Sequence, residues 1–421
     1  METNEDKLQM LQCAVKNYDW GRLDGDSQVA RLFSLNSGSE PEPKKPYAEF
    51  WMGTHDSGPS FVVTGDENET LKSWLLKNPH VLGEKVLEKW GSDLPFLFKV
   101  LSVAKALSIQ AHPDKELART LHKLHPHLYK DGNHKPEMAL AITEFEALCG
   151  FVPLEELKVV LRTVPEVMDL VGFGNVLPIF GLTDQDGEET VKRELASVFT
   201  QIMCADKDKV TEVVGRLISR LNKESEGREL TDKEKLVLRL EEQYPDDIGV
   251  IASFLFNYVK LNPGEALSLG ANEPHAYING ECIECMATSD NVVRAGLTPK
   301  YRDVQTLCSM LTYKQGPPEI LRGTVVNAYV TKYLPPFDEF EIDRCVLPMG
   351  EKVTFPAVPG PSIFLVMDGE AIIEVGGSME VHIVAEGDVI FAAANTEVKI
   401  RQASDLILYR AGVNTKFFQT S

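Results

Sequence analysis

The chain has 421 residues, 43% of them hydrophobic, and 63 acidic against 43 basic side chains give a net charge of −20 at pH 7. That length predicts two or three domains with real cores. The charge weighs against nucleic acid and anionic membrane surfaces as partners, and it requires any anionic ligand to meet a local basic spot.

The N-terminus, METNEDKLQMLQ, is acidic and lacks an apolar core, so no signal peptide is expected. No run of about 18 apolar residues is present, which predicts no membrane span. The seven scattered cysteines (Cys13, Cys149, Cys204, Cys282, Cys285, Cys308 and Cys345) read as thiols in a reducing compartment. The expectation is a soluble, cytoplasmic protein. With no heptad and no long apolar edge, it is expected to be a monomer.

Residues 1–151 read as short strands broken by turns, with some helix. A helix is predicted over 71–89 around Leu71, Trp74, Leu75 and Val81, and strands over the apolar runs 94–103 and 138–142. Between them lies LSIQAHPD, residues 107–114. As a strand it sends Leu107, Ile109 and Ala111 to one face and Ser108, Gln110 and His112 to the other. Asp114 can then cap a helix striped by Leu117, Leu121 and Leu124.

The period changes to helical from about 152 to 245. Leu154, Leu157, Val160 and Leu161 share a face, as do Val210, Val213, Val214, Leu217, Ile218 and Leu221. Thr231 with Glu234 predicts a capping box. Strand character returns near Leu261 and continues to the end. Pro317–Pro318 and Pro335–Pro336 flank a loosely patterned connection that marks the start of a last domain.

An internal echo suggests the architecture. PGEALSLGANEPHAY (263–277) and EGDVIFAAANTEVKI (386–400) share Gly-acid, an apolar run and Ala-Asn at the same offsets. Gly-acid, strand, turn, strand is how a jelly-roll barrel turns a corner, so two related β-barrels are expected, one near each end. The echo breaks at His275, where the second copy has Val398. Only the first barrel is expected to hold polar groups inside.

Gln110 and His112 share a face, His275 follows the corner of the same barrel, and Glu137 opens the strand before Met138. Four polar groups inside a barrel are costly unless something satisfies them, and a divalent metal does so. Two imidazoles and a carboxylate suit zinc; the neutral amide oxygen of Gln110 suits manganese or iron nearly as well. His122, His125 and His127 read as ordinary histidines. Cys282 and Cys285 lack the context of a zinc knuckle or a redox pair and read as buried thiols. Arg294, Lys300 and Arg302 in TSDNVVRAGLTPKYR, with Lys135 and Lys99 from other strands, suggest an anion pocket beside the metal. No P-loop or GxGxxG is present.

At these residues the chain resembles the type I phosphomannose isomerase family. The matching stretches are NYDWG (17–21), PYAEFWMGTH (46–55), 94–118, NHKPEMALAITEFEALCGF (133–151) and 263–304, about half the chain. The fold expected is mainly β with a helical insertion: two cupin-like jelly-roll β-barrels plus an all-helical domain. Residues 1–151 with 250–325 would form a discontinuous catalytic barrel, 152–249 the helical domain, and 326–421 a metal-free C-terminal barrel. The resemblance implies one zinc ion at Gln110, His112, Glu137 and His275. It implies a catalytic role for Arg294 and interconversion of mannose 6-phosphate and fructose 6-phosphate.

Aldose–ketose isomerisation through a cis-enediol needs one base reaching two carbons and a cation for the enediolate. An arginine, with a pKa above about 12, is a poor proton acceptor, so Arg294 is expected to act electrostatically. Glu284, His134, Lys135 and Asp290 are the candidate bases. Ser108, Lys99, Lys300 and Tyr277 are the expected substrate contacts. The competing reading is a non-catalytic, metal-stapled sugar-binding bicupin.

Overall fold

The computed structural model describes residues 7–63, 69–376, 381–402 and 404–419. Its central element is the long strand His275–Ala287. From Gly280 onward that strand pairs with Phe96–Val103 on one side and, from Cys282, with Glu137–Ala141 on the other. Before Gly280 it pairs with Phe145–Phe151 and touches Ile109–Ala111. The partner change falls at Gly280, where φ is 112°. A Cβ there would lie 2.4 Å from the Glu144 carbonyl oxygen, so glycine lets the sheet fold over on itself. The eleven-stranded sheet so formed encloses Leu101, Val103, Ala139, Phe145, Ala147 and Leu267.

The C-terminal segment, joined at one edge by Leu8–Gln12 and Phe61–Val62, builds an eight-stranded sheet, and with it a four-stranded antiparallel sheet, around a second core of Phe364, Val366, Ile373, Ile390, Ile400 and Leu408. The first strand, Leu8–Gln12, was expected in the N-terminal barrel. It pairs instead with Val389–Ala392 of the C-terminal sheet. Its two faces explain the freedom: Leu8 and Met10 pack on the C-terminal core, while Leu11 joins the layer between the two β units. That layer sets Phe50, Phe98 and Val100 against Ile363, Leu365 and Phe391.

The echo has a backbone counterpart. Gly264 and Gly387 have φ of 88° and 89°, and Asn272 and Asn395 have φ of 62° and 61°. Each asparagine occupies the left-handed region that Asn tolerates better than other side-chain-bearing residues.

The stretch between the β segments is helical, running from Leu154–Thr163 to Ile248–Ala252. Its apolar stripes merge with the flank of the first sheet in one core that includes Phe151, Phe199, Leu217 and Phe256. The Thr231/Glu234 capping box forms. Among the described residues the structure is mixed rather than mainly β, at 34% helix and 31% strand. The helix predicted over 71–89 is three pieces: Leu71–Lys77, a 3-10 turn Pro79–Leu82, and Glu84–Trp90. Pro79 cannot continue the first helix, and Gly83 turns the chain at φ 83°. Leu124, expected on a buried stripe, is 63% exposed at the end of its helix. Among the described residues no helix is long and apolar enough to cross a membrane.

Candidate metal centre

Two cross-strand rows build the site. In the first, Gln110 stands opposite His275 on one side and opposite Arg294 on the other. Directly opposed residues of antiparallel strands share a face, so these three side chains leave the sheet together. In the second, Glu284 is opposite Lys99, and Lys99 is opposite Trp51. Glu137 joins them opposite Met286, two residues on from Glu284. The expected strand over 107–114 is only Ile109–Ala111, and His112 lies just past its end. The corner residue Asn272 secures that end: its N–H donates to the His112 carbonyl at 2.7 Å, and its side chain donates to Asp114 at 3.0 Å.

His112, Glu137 and His275 are buried, with one potential ligand atom from each within 4.8 Å of the others. His112 Nε2 lies 3.4 Å from one oxygen of Glu137, and His275 Nε2 lies 3.3 Å from the other. The opposite ring nitrogens face carbonyls: His112 Nδ1 is 2.7 Å from Asn291 O, and His275 Nδ1 is 3.1 Å from Glu273 O. A carbonyl only accepts, so each Nδ1 carries a proton, and in the neutral tautomer this selects, the lone pair lies on Nε2. Neither Nε2 has a hydrogen-bond partner. Burial pushes the His112 imidazole down to about 4, against the pull of Glu137, so it is neutral at physiological pH. Burial alone would raise the Glu137 carboxyl, but His112 and Lys135 hold it well below the usual range. Two imidazoles and a carboxylate, each imidazole steered by a carbonyl on its far nitrogen, fit a divalent cation.

Beside this group lies a buried charge network. Lys99 Nζ is 2.9 Å from Glu284 and 3.3 Å from Glu49, and Glu49 also accepts from Trp51 Nε1 at 2.5 Å. Burial opposes the Lys99 cation, yet Glu284 and Glu49 outweigh it and keep the ammonium charged. For Glu284, burial with Glu137 and Glu49 outweighs Lys99 and raises the carboxyl above its ordinary value.

Both groups open into a cavity of about 1190 Å³. The sheet supplies one wall; Ala205, Lys207, Val210 and Gln243 of the helical segment supply part of the other. Arg294 lines it with no ion-pair or hydrogen-bond partner among the described residues, and burial lowers its pKa only from an already high value. An unpaired guanidinium in a polar cavity is a ready anion contact.

Of the expected residues, Gln110, Glu137, Arg294, Lys135, Glu284, Asp290, Ser108, Lys99, Lys300 and Tyr277 all line this cavity, and His112 and His275 meet at Glu137 beside it. His134 does not share the arrangement. Its Nε2 lies 2.6 Å from Glu339 of the C-terminal unit. Asp290 is engaged by His55 at 3.2 Å, and that contact holds its carboxyl below the ordinary value, which suits a base poorly. Glu49, Trp51 and His55, which also line the cavity, were not singled out as site residues from the sequence. They lie in PYAEFWMGTH, a stretch that carries the family resemblance. Cys282 and Cys285 are buried free thiols, as expected.

The family model for the phosphomannose isomerase type I catalytic domain matches residues 8–154, and that for the type I helical insertion domain matches 179–256. The chain is 59% identical to mannose-6-phosphate isomerase 1 of Arabidopsis thaliana over 418 residues, covering 99% of this chain and 96% of that protein. It is 40% identical to human mannose-6-phosphate isomerase over 413 residues, 95% of this chain and 97% of that one. Among solved structures, apo mannose 6-phosphate isomerase from Salmonella typhimurium superposes with a TM-score of 0.80 at 28% identity, covering 97% of this chain and 99% of that one. A mannose 6-phosphate isomerase bound with zinc and yttrium gives 0.80 at 29% identity over 97% of this chain and 100% of the other.

Proposed function

The chain belongs to the type I phosphomannose isomerase family, and we propose that its cavity interconverts mannose 6-phosphate and fructose 6-phosphate through a cis-enediol, with one zinc ion held by Gln110, His112, Glu137 and His275. The observation that carries the metal reading is the pair of buried imidazole Nε2 atoms, both without partners and both aimed at the Glu137 carboxylate. Gln110 completes the donors from the position opposite His275. When bound, zinc supplies a fixed positive charge for the sugar oxygens.

The protein's own groups supply the rest. Glu284 takes the proton from C2 of the aldose and returns it to C1. A single carboxylate can do both because a cis-enediol presents the two carbons on one face. The O2 hydroxyl proton passes to O1, so the exchange balances. The raised Glu284 pKa brings the carboxyl closer to working pH, where a general base gains about 10²–10⁴-fold in rate. Lys99, locked between Glu284 and Glu49, fixes the orientation of that base. Arg294 faces the oxyanion that develops, and Lys135, 3.4 Å from Glu137, adds a second cation on the metal side. Ser108 and Tyr277 offer hydroxyls to the sugar, and Lys300 offers its ammonium to the phosphate. Seven cysteines with no disulfide among them support the cytoplasmic setting.

The test is incubation with mannose 6-phosphate in heavy water, followed by NMR. Appearance of fructose 6-phosphate, with or without deuterium at the exchanged carbon, supports the reading. Binding of the sugar phosphate with neither product nor exchange would replace it with the non-catalytic bicupin.

A further inference from the structure

We propose that Asp131 is a positioning residue of the metal centre, acting through the main-chain carbonyl of Asn291 on the His112 imidazole. The inference rests on zinc being held at His112.

Asp131 lies in the turn that leads toward Glu137. Its Oδ1 accepts from the Asn133 N–H at 2.9 Å, the Ser289 hydroxyl at 2.8 Å and the Asn291 side-chain amide at 3.2 Å. Its Oδ2 accepts from the Asp290 N–H at 2.8 Å. Its own carbonyl takes the Asn291 amide at 2.7 Å, and the carbonyl of Asn133 takes the same amide at 3.0 Å. One carboxylate thus fixes residues 289–291, about 160 positions further along the chain. Ser289 and Asn291 are 3% and 1% exposed, so water cannot readily replace these acceptors.

What this turn presents to the site is the Asn291 carbonyl, 2.7 Å from His112 Nδ1. That contact sets the tautomer and the aim of the ring. The other imidazole does not depend on Asp131: His275 Nδ1 meets the carbonyl of Glu273, two residues away on its own strand approach. The influence of Asp131 on the metal therefore runs through one ligand of the set. Groups that orient a ligating histidine typically contribute about 10–100-fold to metal affinity.

The experiment titrates zinc into full-length, chelator-stripped protein against a competing fluorescent chelator. Wild type, Asp131→Ala, Asp131→Asn, Asn291→Ala and the Asp131→Ala/Asn291→Ala double variant are compared. Thermal unfolding controls for folding, and the visible spectrum of the cobalt(II)-loaded protein reports ligand geometry. The expected result is about 10–100-fold weaker zinc binding for Asp131→Ala and a changed cobalt spectrum. Asp131→Asn keeps one acceptor oxygen and should fall between Asp131→Ala and wild type. Asn291→Ala should match Asp131→Ala, and the double variant should lose no more than the larger single loss, because both act on one carbonyl. Wild-type zinc affinity in Asp131→Ala overturns the inference, as do additive losses in the double variant. If Asp131→Ala does not fold, wild-type affinity in Asp131→Asn does the same. Failure of the wild-type chain to bind zinc at all would instead overturn the metal reading itself.

Discussion

Arg294 stands directly opposite Gln110 on neighbouring antiparallel strands, so a guanidinium and a candidate metal ligand leave the sheet on the same face. The guanidinium has no carboxylate partner there among the described residues, in a chain whose acidic side chains outnumber its basic ones. Its role is therefore toward a ligand rather than toward the fold. Arg294→Ala is expected to lower kcat by about 10²–10³-fold while zinc content stays at the wild-type level. Steady-state kinetics together with metal analysis checks this. A normal kcat would remove Arg294 from the chemistry.

The pH dependence follows from Glu284. Its carboxyl lies above the ordinary value, so it stays protonated, and inactive as a base, to higher pH than a surface glutamate at about 4.3. Activity should fall as pH drops through that raised value. The Lys99 cation pulls the carboxyl downward, so Lys99→Met should move the acid limb of kcat/KM to higher pH. Glu284→Gln should lower kcat by about 10²–10⁴-fold and remove that limb. An acid limb that Lys99→Met leaves in place, or moves downward, would exclude Glu284 as the base.

The C-terminal sheet holds a different charge cluster. Fully buried Glu341 accepts from Arg410 Nη1 at 3.0 Å and from the Thr415 N–H and hydroxyl at 2.8 Å each, and it pairs with Lys332. Burial opposes the Glu341 carboxylate, but Arg410 and Lys332 hold it below the usual range. Glu341→Ala leaves buried Arg410 with Asp343, at 2.6 Å, as its remaining carboxylate and is expected to cost about 1–3 kcal/mol at neutral pH. A carboxyl depressed in the folded state stabilises above its unfolded value, about 4.3, and loses that contribution as pH falls through the folded value. The difference in Tm between wild type and variant should therefore be widest near pH 7 and narrow in acid. A constant or widening difference would contradict this assignment.

Much of the site was legible because strands alternate. Gln110 and His112 two apart, with His275 just past the barrel corner, announce a polar face where a barrel normally has an apolar one. The Gly and Asn of the echo carried the corners, since their backbone angles repeat almost to the degree. What the sequence concealed was partnership at a distance. Glu49 hides between apolar residues in a fully buried strand, and nothing local signals that Lys99 will need it. Proximity misled at His134: it is three residues from Glu137, yet its ring turns to Glu339, about 200 positions further along. The placement of Leu8–Gln12 was equally hidden, because a short strand with apolar residues on both faces fits either β unit.

Removal and return of zinc tests the central claim most directly. Enzyme stripped with a chelator and dialysed is assayed for conversion of mannose 6-phosphate to fructose 6-phosphate, then assayed again as zinc is added back. Turnover should vanish on stripping and return in full at one zinc per chain, while His112→Ala neither holds the metal nor recovers. Full turnover in metal-free wild type, or in His112→Ala, would contradict the account.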